Sequence, residues 1–446
     1  MRSMTNEGRF RGTSAVTLAF WVATAPFAVV TTRAEDSQEQ IEELERRQEI
    51  LAEEVRRLRE ALVLPETKEL KSHYGLGPAA SKVYAVERGL SIGGYGETNY
   101  RHAVADKAST RNEFDFVRFV LYVGYKFNDW IVLNTETELE HAFSQPTESS
   151  SGGEVALEFA NIDFLLDPRA NVRIGLLLVP MGFLNEIHEP PFYHGNDRPT
   201  VEREIIPSTW RANGFGLHGE LFEGLTYRTF GITGFNARGF RSNGFRDGRQ
   251  RGNREIGEDF AWVGRVDYSF LPGTLIGGSG YVGDSGQDQE ITGETPGVGT
   301  RIYEGHGQLR WRGLELRALG AVGEIDDADL LSQRLADIAV ETGGSADTVP
   351  ERMVGYYFEI AYDVLPLLLP ETTHYLAPWV RYTQIDTQDE VPSGFARNDS
   401  RDRDIWEVGF SYKPIPQIVL KVDYRNFDSA GADLTDEFRA GAGFVF

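Results

Sequence analysis

From Leu90 to Phe446 the chain is written almost wholly on a period of two. In FDFVRFVLYVGYKF the residues Val117, Phe119, Leu121, Val123, Tyr125 and Phe127 are apolar, while Arg118, Gly124 and Lys126 fall between them. Phe260, Trp262, Val266, Tyr268 and Phe270 stand likewise against Asp259, Arg265, Asp267 and Ser269. The closing DEFRAGAGFVF sets Phe438, Ala440, Ala442, Phe444 and Phe446 against Glu437, Arg439, Gly441, Gly443 and Val445. Successive side chains of a strand point to opposite faces, so these are strands with one oily and one polar side. Past residue 34 no window is apolar over the ~20 residues that a membrane helix needs. If the chain enters a membrane, strands must carry it, and in lipid they must close on themselves to pair every backbone group.

Sixteen such segments begin near residues 90, 113, 129, 154, 171, 214, 225, 258, 273, 302, 314, 352, 373, 403, 416 and 436. Those near 154 and 225 alternate less cleanly, as bulges would make them. Tight connections such as FND at 127 and RG at 312 interleave with long ones, among them 102–112, 142–153, 181–213, 237–257 and 325–350. Long loops at one end and short turns at the other, with an even strand number, describe an outer-membrane barrel. The 48 Gly and 12% aromatic residues suit a turn-rich β chain. A secreted β-rich adhesin would also alternate, but it would need neither the strict short and long succession nor aromatics at the ends of its outward face. The expected fold is all-β: a 16-stranded antiparallel transmembrane barrel over 90–446, in contact with outer-membrane lipids.

The N-terminal part follows other rules. Arg2, Arg9 and Arg11 precede an apolar run from Ala15 to Val30, and Thr32 and Ala34 sit three and one before a cut, so 1–34 reads as a secretory signal peptide. Its four arginines and one glutamate take three positive charges from a chain of net charge −23. Zero Cys excludes disulfides and thiolate metal sites. Over 35–64, Ile41, Leu44, Gln48, Leu51, Val55, Leu58 and Leu62 step by three and four, a heptad seam that ends at Pro65. This predicts a periplasmic coiled coil that self-associates; a lone amphipathic helix on the protein's own surface is the alternative. Residues 65–89 are expected to be a linker.

A sixteen-stranded barrel is wide enough to hold an aqueous channel, so its inward residues decide what passes. By parity they carry both signs, Arg118 and Arg173 among them. The longest connection, VPMGFLNEIHEPPFYHGNDRPTVEREIIPSTWRANGFG, is too apolar and Pro-rich for a floppy tail, and loops of this length are usually functional. RIGLLLVPMGF, NEIHEPP and RPTVEREIIPSTWRANGFG resemble the matching region of the phosphate-selective porin O and P family, which are trimeric sixteen-stranded barrels. The resemblance implies a homotrimer, a long loop folded into the lumen, an anion path of arginines and a lysine-bearing constriction. This loop has no Lys; it carries Glu186, Glu189, Asp197, Glu202 and Glu204 beside Arg198, Arg203 and Arg211. Phe446 resembles the C-terminal aromatic by which outer-membrane barrels are recognised for insertion.

The expected function is passive diffusion of ions and small hydrophilic solutes, possible anions such as phosphate included, with no enzymatic activity, no cofactor and no nucleic-acid partner. His188 and Glu189 lack a second ligand at helical spacing, so no metal motif is legible, and no nucleophile–base motif appears that would favour a barrel enzyme. Arg118, Arg173, Arg203 and Arg211 are the expected anion-path residues, with Glu186, Glu189 and Glu202 as their opponents at the constriction. Arg238, Arg241, Arg246, Arg249, Arg251 and Arg254 form a basic cluster expected at the mouth. Weak selectivity follows, leaning to anions only if the arginines face the lumen and the acids pair against the wall. Deleting 35–64 is expected to leave a folded barrel and a weaker trimer; native mass spectrometry should find the truncated trimer easier to dissociate than the parent.

Overall fold

The computed structural model describes residues 43–54, 71–104, 112–141 and 153–446. The chain divides into two units, 1–69 and 70–446. In the first, residues 43–54 are helical, with Leu44 and Leu51 exposed. The signal peptide and the rest of the expected coiled coil lie outside the described residues.

The second unit is a closed antiparallel barrel of sixteen strands, each paired with its sequence neighbours. They are β1 (Gly89–Val104), β2 (Glu113–Asn128), β3 (Ile131–Glu140), β4 (Glu154–Asp167), β5 (Ala170–Leu178), β6 (Arg211–Phe222), β7 (Leu225–Thr233) and β8 (Phe260–Tyr268). The remainder are β9 (Thr274–Asp284), β10 (Gly299–Trp311), β11 (Leu314–Ile325), β12 (Arg352–Tyr362), β13 (Tyr375–Glu390), β14 (Asp402–Ile415), β15 (Ile418–Ser429) and β16 (Asp436–Val445). β1 closes on β16 from Tyr95 opposite Val445 to Val104 opposite Asp436. The outward face keeps its oil: Trp406 and Phe410 remain 52% and 55% exposed, a surface that only lipid or another subunit can cover.

At the closure seam the last residue continues the ladder. The amide of Phe446 donates to Gly94 O at 2.8 Å and Gly94 N returns the bond to Phe446 O at 3.0 Å. A Cβ on Gly94 would sit 2.7 Å from the Phe446 ring, so glycine makes the space that this ring occupies.

The lumen is heavily packed. One apolar core joins the long loop (Val179, Met181, Val201, Ile205, Ile206) to residues after β7 (Phe235, Phe240, Phe245) and to the inner wall at Ile302, Met353 and Ile385. A smaller core joins Leu76, Ala79 and Ala80 to Tyr95, Val120, Tyr122 and Phe159. This second cluster corrects the linker expectation for 71–88. That stretch packs against the wall inside the barrel: Asn134 donates to Ala80 O at 2.8 Å, Lys126 to Val86 O at 3.0 Å, and Tyr84 to Asp163 at 2.5 Å. A Cβ on Gly124 would lie 2.6 Å from Val83, so the wall is glycine where the segment presses on it. The long connection after β11 also has its own structure, a helix Ala328–Thr342 that buries Leu331 and Leu335 and stops at left-handed Gly343.

Phe446→Asp removes the ring from the seam and sets a carboxylate beside Phe119 and Phe444 on the apolar face. Fewer assembled barrels are expected, with near-normal conductance per inserted channel; quantitative surface labelling beside single-channel recording checks this.

Candidate functional site: the lumen constriction

The connection between β5 and β6 folds into the barrel and is fastened around its wall. Near its start Glu186 accepts from Arg228 of β7 at 2.9 Å, and Arg265 of β8 donates to Gly182 O. His188 Nε2 lies 3.2 Å from Glu136 of β3 and 3.4 Å from Glu158 of β4. Glu189 turns the other way and accepts from the amide of Ala79 at 2.9 Å, tying the loop to the N-terminal segment. Across the barrel, Tyr193 donates to Glu97 at 3.2 Å, Arg381 to His194 O at 2.8 Å and Lys421 to Gly195 O at 2.8 Å. Asp197 is bound by Arg425 at 2.9 Å, by Arg439, and by Arg203 at 3.5 Å. Glu202 accepts from Tyr357 at 2.6 Å and from the amide of Leu184 at 2.7 Å, and Glu204 pairs with Arg403.

Electrostatics follow from this packing. Burial raises the carboxyls of Glu186 and Glu202 above the ordinary range despite Arg228 and the Tyr357 hydroxyl, and it pushes Glu189 up to about 7. Burial also disfavours charge on His188, but Glu136 and its neighbour Glu158 outweigh it and hold the ring's proton up to about 9. Asp197 is the opposite case: burial would raise it, yet Arg439, Arg425 and Arg203 keep it well below the usual carboxylate range.

The expected constriction residues therefore separate. Glu186, Glu189 and Glu202 are buried against the wall, and so are Arg173, clamped on Asp163 at 2.7 Å, and Arg211, paired with Glu158 at 2.9 Å. Arg118 and Arg203 stay partly open, with 14% and 40% of their side chains exposed. Arg118 bonds Glu97, Glu138 and Glu140 at 2.9, 2.9 and 3.1 Å. Beside them stands Arg198, partly exposed and without a hydrogen bond or ion pair among the described residues. On the short-turn side a cavity of about 540 Å³ meets Tyr74, Glu186, His218, Arg228, Arg265 and Asp267. A second one of about 270 Å³ adjoins it at Ser72, Phe183, Ile187 and Arg265 and adds Arg310 and Arg317.

The basic cluster at 238–254 divides by what its members touch. Arg246 donates to the carbonyls of Arg203 and Ser208 at 3.1 and 2.5 Å, and Arg249 to those of Pro207 and Thr209 at 2.8 and 2.5 Å. These two hold the far end of the constriction loop. Arg238 and Arg241 bond nearby carbonyls, Arg251 lies 3.9 Å from Glu154, and Arg254 is exposed. Sequence reasoning missed that Asp197 is held by Arg203, Arg425 and Arg439, and that Glu97 meets both Arg118 and Tyr193. Parity had turned the strand residues inward, but nothing local shows that one loop aspartate gathers three arginines.

No protein-family model matches the chain. An uncharacterized protein of Aquifex aeolicus (strain VF5) is 35% identical over 395 residues, covering 88% of this chain and 87% of that protein. The chain belongs to its family. Among solved structures, Salmonella typhi OmpF in complex with daunomycin aligns with a TM-score of 0.53 at 13% identity, over 81% of this chain and 98% of that one. OmpT of Vibrio cholerae, an outer membrane protein solved without its loop L8, aligns at 0.50 with 11% identity, over 81% and 100%. At such identities the likeness is one of fold: the porin-type sixteen-stranded barrel.

Arg381 is fully buried between Glu359 at 2.5 Å and Glu407 at 2.8 Å while it holds His194 O. Arg381→Ala leaves buried Glu359 without its cation and Glu407 with Arg425 alone, a loss of ~3–5 kcal/mol. A lower transition temperature in heat-modifiable gel mobility and noisier open-channel current are the expected readings.

Proposed function

We propose that this chain is a bacterial outer-membrane channel through which small hydrophilic solutes diffuse passively, with a lumen narrowed by the 179–210 loop and a lean toward anions. The barrel supports the membrane reading: its outer face is apolar, its interior charged, and its strands leave no open edge. The heptad seam over 35–64 and the family resemblance support a homotrimer with a coiled coil in the periplasm.

One observation carries the selectivity: the loop's glutamates are turned into the packing, while Arg118, Arg198 and Arg203 keep part of their surface exposed. Charges at the narrowest point outweigh the net −23 of the whole chain, because fields are screened over ~8–10 Å at physiological salt. Glu186, Glu189 and Glu202 offer little negative field, since each is buried and matched by a nearby donor: Arg228, the Ala79 amide, and the Tyr357 hydroxyl with the Leu184 amide. Glu97, Asp197 and Glu437 still offset part of the arginine charge, which keeps the preference modest. Phosphate is the finer possibility, supported by the resemblance and by arginines that suit its oxygens.

Reversal potentials in a salt gradient across planar bilayers test this. A modest anion preference is expected for the parent, and Arg198→Glu with Arg203→Glu should reverse it, since both groups border the opening. A cation preference abolished by Glu186→Gln with Glu189→Gln would overturn the reading, and strong block by phosphate would support the phosphate-specific form.

A further inference from the structure

Three donors from distant parts of the chain converge where the long loop meets the β3–β4 wall. Glu136, Glu158 and His188 keep 0%, 0% and 2% of their surface exposed, and one ligand atom of each lies within 4.8 Å of the others. Nε2 of His188 is 3.2 Å from Oε1 of Glu136 and 3.4 Å from Oε2 of Glu158. Its Nδ1 stands 3.2 Å from the Asn185 carbonyl, which can only accept. In the neutral ring that a metal ion requires, the proton therefore belongs on Nδ1 and the Nε2 lone pair faces the two carboxylates; without an ion the carboxylates hold a second proton on Nε2, which an incoming ion displaces.

The carboxylates are held for a further partner. Oε1 of Glu158 is occupied by the Thr209 hydroxyl at 2.7 Å and Arg211 at 2.9 Å, while its Oε2 has no hydrogen bond. Oε2 of Glu136 and the hydroxyl of Tyr95, whose ring lies edge-on to the imidazole, are also buried without one. A single proton on Nε2 can point at only one carboxylate, and a buried acceptor left unpaired is costly. Donors ~2.0–2.1 Å from a tetrahedral ion lie ~3.3 Å from one another. The observed 3.2 and 3.4 Å from Nε2 match that spacing.

Glu158 reaches this place by a bulge. The register passes from Glu136 opposite Phe159 to Thr137 opposite Leu157, so Glu158 is the extra residue and is buried together with Phe159.

We propose that Glu136, Glu158 and His188 bind a divalent first-row transition ion such as Zn²⁺, which clips the constriction loop to the barrel wall. One imidazole nitrogen and two carboxylate oxygens suit such an ion, whereas Ca²⁺ and Mg²⁺ prefer sites of oxygen alone. Asn185, Thr209 and Arg211 orient the ligands, as groups behind metal ligands do. The other histidine set between two acids makes a contrast: both nitrogens of His306 are taken, by Glu304 at 2.8 Å and Asp267 at 2.9 Å. The proposal does not rest on the transport reading, because ion binding is read without current.

The test uses the full chain in detergent, stripped with chelator and dialysed against Zn²⁺, with bound metal counted by mass spectrometry. One ion per chain is expected, falling to background in the Glu136→Gln, Glu158→Gln double variant and in His188→Gln, all chosen to keep side-chain bulk. Heat-modifiable mobility identifies which variants have folded barrels. Co²⁺ in the parent should give the intense visible absorption of a four-coordinate site, a reading that needs no variant. Absence of a tight ion in the parent, a weak six-coordinate Co²⁺ spectrum, or full binding in folded variants would overturn the proposal.

Discussion

A strand in lipid has nowhere to place an unpaired N–H or C=O, and everything else in this barrel depends on that constraint. It forces the sheet to close, and the closure is carried to the last residue, where Phe446 and Gly94 exchange both backbone bonds. Closure on sixteen strands in turn creates an interior wider than wall side chains can fill. The bore is therefore narrowed by chain rather than by side chains alone: the long loop from the long-connection end and residues 71–88 from the short-turn end.

Bringing backbone into a charged interior raises a second demand, since loop carbonyls and amides have no ladder to join. Charged groups of the wall and of the connections meet it. Arg381 and Lys421 of the wall and Arg246 and Arg249 of the β7–β8 connection donate to loop carbonyls, while Asp423 of the wall and Glu202 of the loop itself accept from loop amides. Most inward charges thus serve the architecture, and few remain to act on a passing solute. Arg118, Arg198, Arg203 and Asp197 are among the inward charges that keep part of their surface exposed, and total charge therefore says little about which side chains meet the bore.

The strand pattern was legible almost residue by residue. Starts expected near 113, 154, 225, 314, 352 and 436 fall where the strands begin, because alternation is a property of adjacent residues and survives any tertiary context. The segment near 154 looked irregular in the sequence, and the irregularity is the bulge that turns Glu158 inward. The interior segment 71–88 was not legible. GLGPAASKVYAV carries small and apolar residues without a period, and a linker and a packed strap look alike until a wall is present for Leu76 and Val83 to meet.

By itself, then, the sequence determined the barrel: strand number, the oily and polar faces, and which connections are long, all set by local period and turn chemistry. Tertiary structure alone decided what the charges do. Asp197 finds Arg425 across 228 residues, and His188 finds Glu136 across 52. Such pairings depend on strand register and on the path of a loop through the lumen. Parity could turn a side chain inward, but only the closed barrel brings it to a partner, because proximity across the bore is a property of the whole ring of strands and of no single stretch of it.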